Sequence, residues 1–266
     1  MIARPRASDD RRETVRAPYS GAMSLASLTR ATSPAVDLLA RARSKARPDG
    51  VPPETAAAGT GMALAISVLG MLGFTALVSL VRRKRSEAAD LAITMKIQAI
   101  QHAWLQRLMA AVSWFGFPPQ SRIIPPVLIG AQMLLRLRLE AGMQLVAWGT
   151  AGLSTLVKSF MRRPRPVAGT DLRVVAADLG GSSFPSGHVL SYVGTYGWLA
   201  TVAGTLIGPV WPRRAIVAAL AGLITLVGPS RIYQGHHWAT DVAASYLLGF
   251  SYLAAMVTVY RRLKAR

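Results

Sequence analysis

Three polar islands in an otherwise apolar sequence carry residue types suited to handling phosphate. The first is Lys158 with Arg162, Arg163, Pro164, Arg165 and Pro166. The second runs Ser182, Ser183, Phe184, Pro185, Ser186, Gly187, His188. The third is Ser230-Arg231 followed by His236, His237 and Asp241. Lys158, Arg165 and Arg231 bring positive charge, and Asp241 is the only acid within the three islands. Guanidinium groups grip phosphate oxygens two at a time and an ammonium acts as a point charge, so a phosphate dianion is the natural occupant. Ser186 stands where a helix begins. There it can cap the helix, and free backbone N–H groups around Gly187 meet an anion at the positive end of the helix dipole. His237 and Asp241 are four residues apart and share a helix face. Asp241 can accept from one imidazole nitrogen and fix the tautomer, leaving the other nitrogen bare as a nucleophile. His188 is left to protonate the leaving oxygen. The reaction implied is in-line phosphoryl transfer through a phosphohistidine, followed by attack of water. The cationic clamp gives the charge stabilisation that a metal otherwise supplies.

The elements that position these islands are membrane-spanning helices. Residues 55–81, 141–157, 189–212, 215–230 and 242–260 carry no charge, and 123–139 is apolar with Arg136 and Arg138 at its far end. About 20 predominantly apolar residues cross a bilayer core, and arginines at a span's end can snorkel to the interface. The expected fold is therefore all-α, a six-helix transmembrane bundle. The end of the third span, the start of the fourth and the connection between the fifth and sixth then lie on one membrane face. Segments far apart in sequence can meet there in one pocket. Ionisable groups near spans cost about 2.5–3.5 kcal/mol each at a helix centre, so a cluster of them marks function.

The chain has 266 residues, with 31 Lys+Arg against 12 Asp+Glu for a net charge of +19. That excess calls for anionic partners, and its placement at the ends of apolar runs selects phospholipid and phosphorylated lipid over nucleic acid. Cysteine is absent, which rules out disulfides, thiolate zinc sites and cysteine nucleophiles. With no acidic cluster either, no metal site and no cofactor are expected. Residues 1–54 mix basic, acidic, Pro and Ser residues without apolar periodicity and read as a disordered basic tail preceding a membrane domain over 55–266. The tail has no continuous apolar core and is no secretory signal peptide. Residues 86–115 connect the first two spans. Ala88, Leu91, Met95, Ile97, Trp104, Leu105 and Leu108 recur there at roughly helical spacing, which predicts a helix lying in the interface and anchored by Trp104 and Trp114. Basic residues flank both faces almost equally, so charge leaves the orientation open.

The motifs resemble those of the type 2 phosphatidic acid phosphatase superfamily of integral membrane lipid phosphatases, which also holds glucose-6-phosphatase and the vanadium haloperoxidases. Its K-x6-R-P motif is met by Lys158 to Arg165-Pro166, its P-S-G-H by Pro185 to His188, and its S-R-x5-H-x3-D by Ser230-Arg231, His237 and Asp241. The resemblance covers roughly residues 57–260. It implies His237 as nucleophile, Asp241 as its orienting partner and His188 as general acid. Lys158, Arg165, Ser186, Gly187 and Arg231 would hold the phosphoryl group. It also implies six spans in the plasma or inner membrane, an extracytoplasmic active site, and a lipid phosphate or pyrophosphate substrate such as a polyprenyl (undecaprenyl) pyrophosphate.

Two other function classes share these residue types. A haloperoxidase-like oxidoreductase would hold vanadate in the same pocket, but those relatives are soluble and larger. A non-enzymatic anion carrier or lipid-binding membrane protein would have no use for a positioned histidine pair and carboxylate. Other charged residues have plainer readings: Arg162 and Arg163 as interfacial anchors, Arg82 to Arg85 as the end of the first span or a contact for lipid headgroups, and His102 as an interfacial residue. His236 adjoins His237 but has no carboxylate four residues on.

Overall fold

The computed structural model describes residues 53–264 apart from 168–171 and 176–178; the tail expected over 1–54 lies almost wholly outside the described residues. All regular structure among them is helical: α1 (Pro53–Arg82), α2 (Glu87–Gln98), α3 (Ala103–Trp114), α4 (Gln120–Leu134), α5 (Arg138–Trp148), α6 (Thr150–Met161), α7 (Gly187–Leu206), α8 (Val210–Tyr233) and α9 (Ala239–Lys264).

Local chemistry sets the boundaries. The apolar run of α1 ends in a basic turn where Lys84 takes a positive φ of 56°. α6 stops at Arg162, whose φ of 44° is left-handed, and Pro164 and Pro166 beyond it favour extended backbone before each ring. α9 finishes on Arg261, Arg262 and Lys264, cations placed where the helix dipole is negative.

Three of these helices are both long and apolar enough to cross a membrane: Gly61–Arg82 of α1, α8 and α9. The other expected spans are built differently. Residues 123–139 become the 15-residue α4, which holds Pro125 and Pro126 and ends at Leu134. At about 1.5 Å per residue such a helix is shorter than the hydrocarbon core. Residues 141–157 are divided between α5 and α6 at Gly149. The 20-residue α7 is long enough, yet it carries Ser, Thr, Tyr and Gly throughout and is largely buried.

The segment between the first two spans is also two helices rather than one. The buried residues of α2 are Asp90, Thr94 and Gln98, spaced at one helical turn, whereas Leu91, Ile93 and Met95 are exposed. The polar stripe of α2 faces protein and its apolar side faces out.

α9 packs against α1, α7 and α8, and α8 packs against α7, α3 and α2. One apolar core, with Val189, Tyr192, Val193, Val227 and Val242, lies between α7, α8 and α9. A second, around Trp198, Met256 and Tyr260, closes the opposite end. α5 and α7 approach closely because Gly194 has no side chain; a Cβ there would sit 2.6 Å from the carbonyl oxygen of Ala147.

Candidate active site

The loop after α6 is extended, and extended backbone sends alternate side chains to opposite sides. Arg162 is exposed while Arg163 and Arg165 turn inward. This loop is laced to the segment before α7. Arg163 N–H donates to Ser182 Oγ at 3.0 Å, Ser183 N–H to the Arg163 carbonyl at 2.8 Å, and Ser183 Oγ to the Pro164 carbonyl at 3.1 Å. Gly235, at φ +72°, turns the chain from α8 back toward α9 and presents His236 and His237. A Cβ at Gly235 would fall 2.3 Å from the Arg173 carbonyl oxygen.

His237 is held by the second island rather than by Asp241 alone. Its Nδ1 lies 2.7 Å from the carbonyl oxygen of Ser183, an acceptor only, so Nδ1 carries the proton and donates. The Asp241 carboxylate stands 3.6 Å from the same nitrogen, outside hydrogen-bond distance. This corrects the expectation that Asp241 fixes the tautomer. The reason is that both carboxylate oxygens are committed elsewhere: Oδ2 accepts from Trp238 N–H at 2.9 Å, Oδ1 from Arg163 Nη1 at 2.6 Å. Nε2 of His237 therefore carries no proton and accepts from Arg165 Nη1 at 3.3 Å. Burial first, then the charges of Arg231, Arg165 and Lys158, push the pKa of His237 well below the ordinary histidine value, against a smaller raising effect of the Ser183 carbonyl. The imidazole is neutral at neutral pH.

Arg163 is the second correction. The interfacial-anchor reading fails: one guanidinium nitrogen meets Asp241, the other meets Asp90 of α2 at 2.6 Å, and its side chain is 9% exposed. Arg162, by contrast, is exposed.

His236 has both ring nitrogens engaged, Nε2 with the Val175 carbonyl at 2.8 Å and Nδ1 with Arg231 Nη2 at 2.5 Å. A ring protonated on Nε2 satisfies both. Burial and Arg231 lower its pKa to about 4. Arg231 is fully buried. It donates through Nη1 to Ser113 Oγ at 3.1 Å and to Gln234 Oε1 at 2.9 Å, and its guanidinium lies 4.8 Å over the Phe117 ring. Arg165 donates to the His236 carbonyl at 2.8 Å, and burial lowers its pKa, partly offset by Asp241.

His188 opens α7 with its ring edge-on to Phe117 at 4.7 Å. Ser186 is the N-cap residue, yet its side chain makes no cap hydrogen bond; the expectation that it caps α7 is not met. Instead its backbone N–H donates to Ser245 Oγ at 2.7 Å. Ser186 Oγ, His188 Nε2, Arg165 Nε, Arg231 Nε and Ser154 Oγ are all buried without a partner. Leaving such a group unpaired costs about 1–3 kcal/mol, so their concentration on the motif segments suits a ligand with several acceptor oxygens, such as a phosphate. Ser154, next to Gly187 (3.2 Å from the position of a Cβ there), escaped the sequence reading. Its signal was its place four residues before Lys158 on one helix face. Ser113, Gly116 and Phe117 also escaped it, having no motif.

A cavity of about 700 Å³ adjoins Arg165. Arg82, Lys84 and Arg162 give it basic walls, and Leu91, Phe160 and Trp238 apolar ones. Among the described residues no group of three or more His, Asp or Glu side chains is arranged to hold a metal ion.

The family model of the PAP2 superfamily matches residues 141–265. Phosphatidylglycerophosphatase B of Bacillus subtilis (strain 168) is 30% identical over 182 residues, covering 67% of this chain and 86% of that protein. The crystal structure of the first transmembrane PAP2 type phosphatidylglycerolphosphate phosphatase from Bacillus subtilis superposes with a TM-score of 0.64 at 25% identity, over 74% of this chain and 96% of that one. Likeness on this scale, in sequence and in fold together, carries membership: the chain belongs to the PAP2 superfamily and is a phosphatase.

Proposed function

We propose that this protein is an integral membrane lipid phosphatase that works through a phosphohistidine without a metal ion. The observation that carries the reading is the pairing of His237 Nδ1 with the Ser183 carbonyl, which leaves Nε2 unprotonated with its lone pair turned to Arg165. His237 Nε2 attacks phosphorus in line with the ester oxygen. A P–N bond forms as the P–O bond breaks, and His188, protonated in the complex with a phosphate dianion, gives its proton to the departing alkoxide. Water then attacks phosphorus, His188 takes up a proton, and the P–N bond breaks to release inorganic phosphate. Lys158, Arg165, Arg231, Ser186 and Gly187 hold the phosphoryl oxygens and balance the charge that builds on them.

The lipid character of the substrate is supported by the cavity beside Arg165, whose mixed basic and apolar walls suit a headgroup joined to acyl chains. It is also supported by the named activity of the Bacillus subtilis relative, a phosphatidylglycerophosphatase. The membrane domain over 55–266 is read as a six-crossing bundle, with the α5–α6 pair, α4 and α7 completing the passage begun by α1, α8 and α9. Its active face is extracytoplasmic, α2 and α3 lie at that interface, and the basic tail precedes it.

The test is phosphate release by purified protein from lipid monophosphates and from a polyprenyl pyrophosphate, with His237→Ala as control. Hydrolysis of a lipid monophosphate that survives chelator, stops with vanadate and disappears in His237→Ala is the expected result. Release at the wild-type rate by His237→Ala overturns the mechanism, and loss on chelation overturns its metal independence.

A further inference from the structure

Asp90 lies on α2, well before the stretch of chain matched by the family, which begins at residue 141. Both of its carboxylate oxygens are committed to the active-site end of the bundle. Oδ1 accepts from the backbone N–H of Thr240 at 2.8 Å. Oδ2 accepts from the Thr240 hydroxyl at 2.8 Å and from Arg163 Nη2 at 2.6 Å. The other terminal nitrogen of Arg163 donates to Thr240 Oγ1 at 2.7 Å and to Asp241 at 2.6 Å. Ser86, at the start of α2, adds an acceptor for Nη2 at 3.2 Å. The side chains of Asp90 and Asp241 are 1% and 0% exposed.

One guanidinium is therefore stretched between two buried carboxylates. Held by Asp241 alone, Arg163 would keep one free end and could pivot about the other; Asp90 removes that freedom. Asp241 in turn binds Trp238 N–H through its second oxygen, and Trp238 is the residue after His237. The chain of contacts runs from α2 through the loop after α6 to the backbone that presents the imidazole. Stability alone is a poor reason for such an assembly, because buried ion clusters can often be replaced by apolar side chains at no loss. α2, moreover, leaves its own apolar residues Leu91 and Met95 exposed while it turns Asp90 inward.

We infer that Asp90 is a positioning residue for the phosphoryl transfer: through Arg163 it fixes the Asp241 carboxylate, and through Asp241 the turn that carries His237. The inference rests on the reading of His237 as nucleophile proposed above.

The experiment is steady-state hydrolysis of a lipid monophosphate by full-length detergent-solubilised protein, with rates expressed per folded molecule. The variants are Asp90→Asn, Arg163→Lys, the double variant and His237→Ala. Asp90→Asn should lower kcat about 10- to 100-fold with KM within about twofold, the pattern of a misplaced group rather than a lost substrate contact. Arg163→Lys should do the same, and the double variant should be no worse than the poorer single one, since both act through one chain of contacts. A residue that only stabilises the fold would lower the melting temperature and leave kcat per folded molecule intact; wild-type kcat in Asp90→Asn, or kcat losses that multiply in the double variant, overturns the inference. Should Asp90→Asn not fold, Thr240→Val removes the hydroxyl that bridges Arg163 and Asp90. A several-fold fall in kcat at constant KM supports the inference there, and unchanged kcat overturns it. Wild-type activity in His237→Ala defeats the underlying mechanism instead, so the two failures are told apart.

Discussion

The carbonyl oxygen of Ser183 accepts a hydrogen bond from Nδ1 of His237 at 2.7 Å, while the carboxylate of Asp241 stands off at 3.6 Å. The tautomer is thus fixed by backbone of one motif segment and the charge is supplied by another. In a Ser-His-Asp triad, where the carboxylate does both, exchanging Asp for Asn costs about 10⁴-fold, largely by turning the imidazole to the wrong tautomer. Here Asp241→Asn keeps the tautomer and loses the charge and the Arg163 pairing. We expect kcat to fall about 10²-fold with KM little changed, measured as phosphate release from a lipid monophosphate. A fall as deep as in a triad would mean that Asp241 does set the tautomer during turnover.

The depressed pKa of His237 has a definite sign in the pH profile. In the proposed mechanism the reactive form is the neutral imidazole, and a lowered pKa keeps that form present to lower pH. The acid limb of kcat/KM, which reports the free enzyme, should therefore lie below the ordinary histidine value of about 6.5. Near pH 4, protonation of His236 adds a second loss, because its Nδ1 then repels Arg231. An acid limb centred at or above about 6.5 would contradict the burial and cationic surroundings described for His237.

Gly116 bears on His188, the general acid of the proposed mechanism. A Cβ at this position would lie 2.2 Å from Cδ2 of His188, so Gly116→Ala must push the ring out of place. Displacements of about 1 Å at a reacting group cost about 10²-fold, and that is the kcat loss expected. The melting temperature should change little, because the ring can shift without opening the core. Full activity in Gly116→Ala would separate His188 from proton transfer.

Orientation can be read by labelling, since the chain has no cysteine of its own. In intact cells, Arg162→Cys at the active face should react with a membrane-impermeant maleimide, and Arg214→Cys, at the other end of the bundle, should react only after permeabilisation. The reverse pattern would put the active site in the cytoplasm.

The three motifs and their order were legible because they depend on residue type and spacing alone; the contact between His237 and Asp241 was not, because His237 lies in the turn before α9 and bonds the Ser183 carbonyl instead. The charge-free stretches likewise announced α1, α8 and α9, since a bilayer demands length and apolarity from each helix separately. The role of Arg163 was beyond that reach. Nothing local distinguishes it from Arg162; the choice comes from the alternation of an extended, proline-bounded loop and from Asp90 and Asp241, 73 and 78 residues away. The inward face of α2 was out of reach for the same reason: Asp90 and Gln98 turn inward to partners on Arg163, Thr240 and the backbone of α8, all at least 73 residues away. The sequence specified which chemistry the chain carries; the tertiary structure alone decided which charges neutralise one another and which polar atoms are left without a partner, because those pairings form between segments that only packing brings within 3 Å.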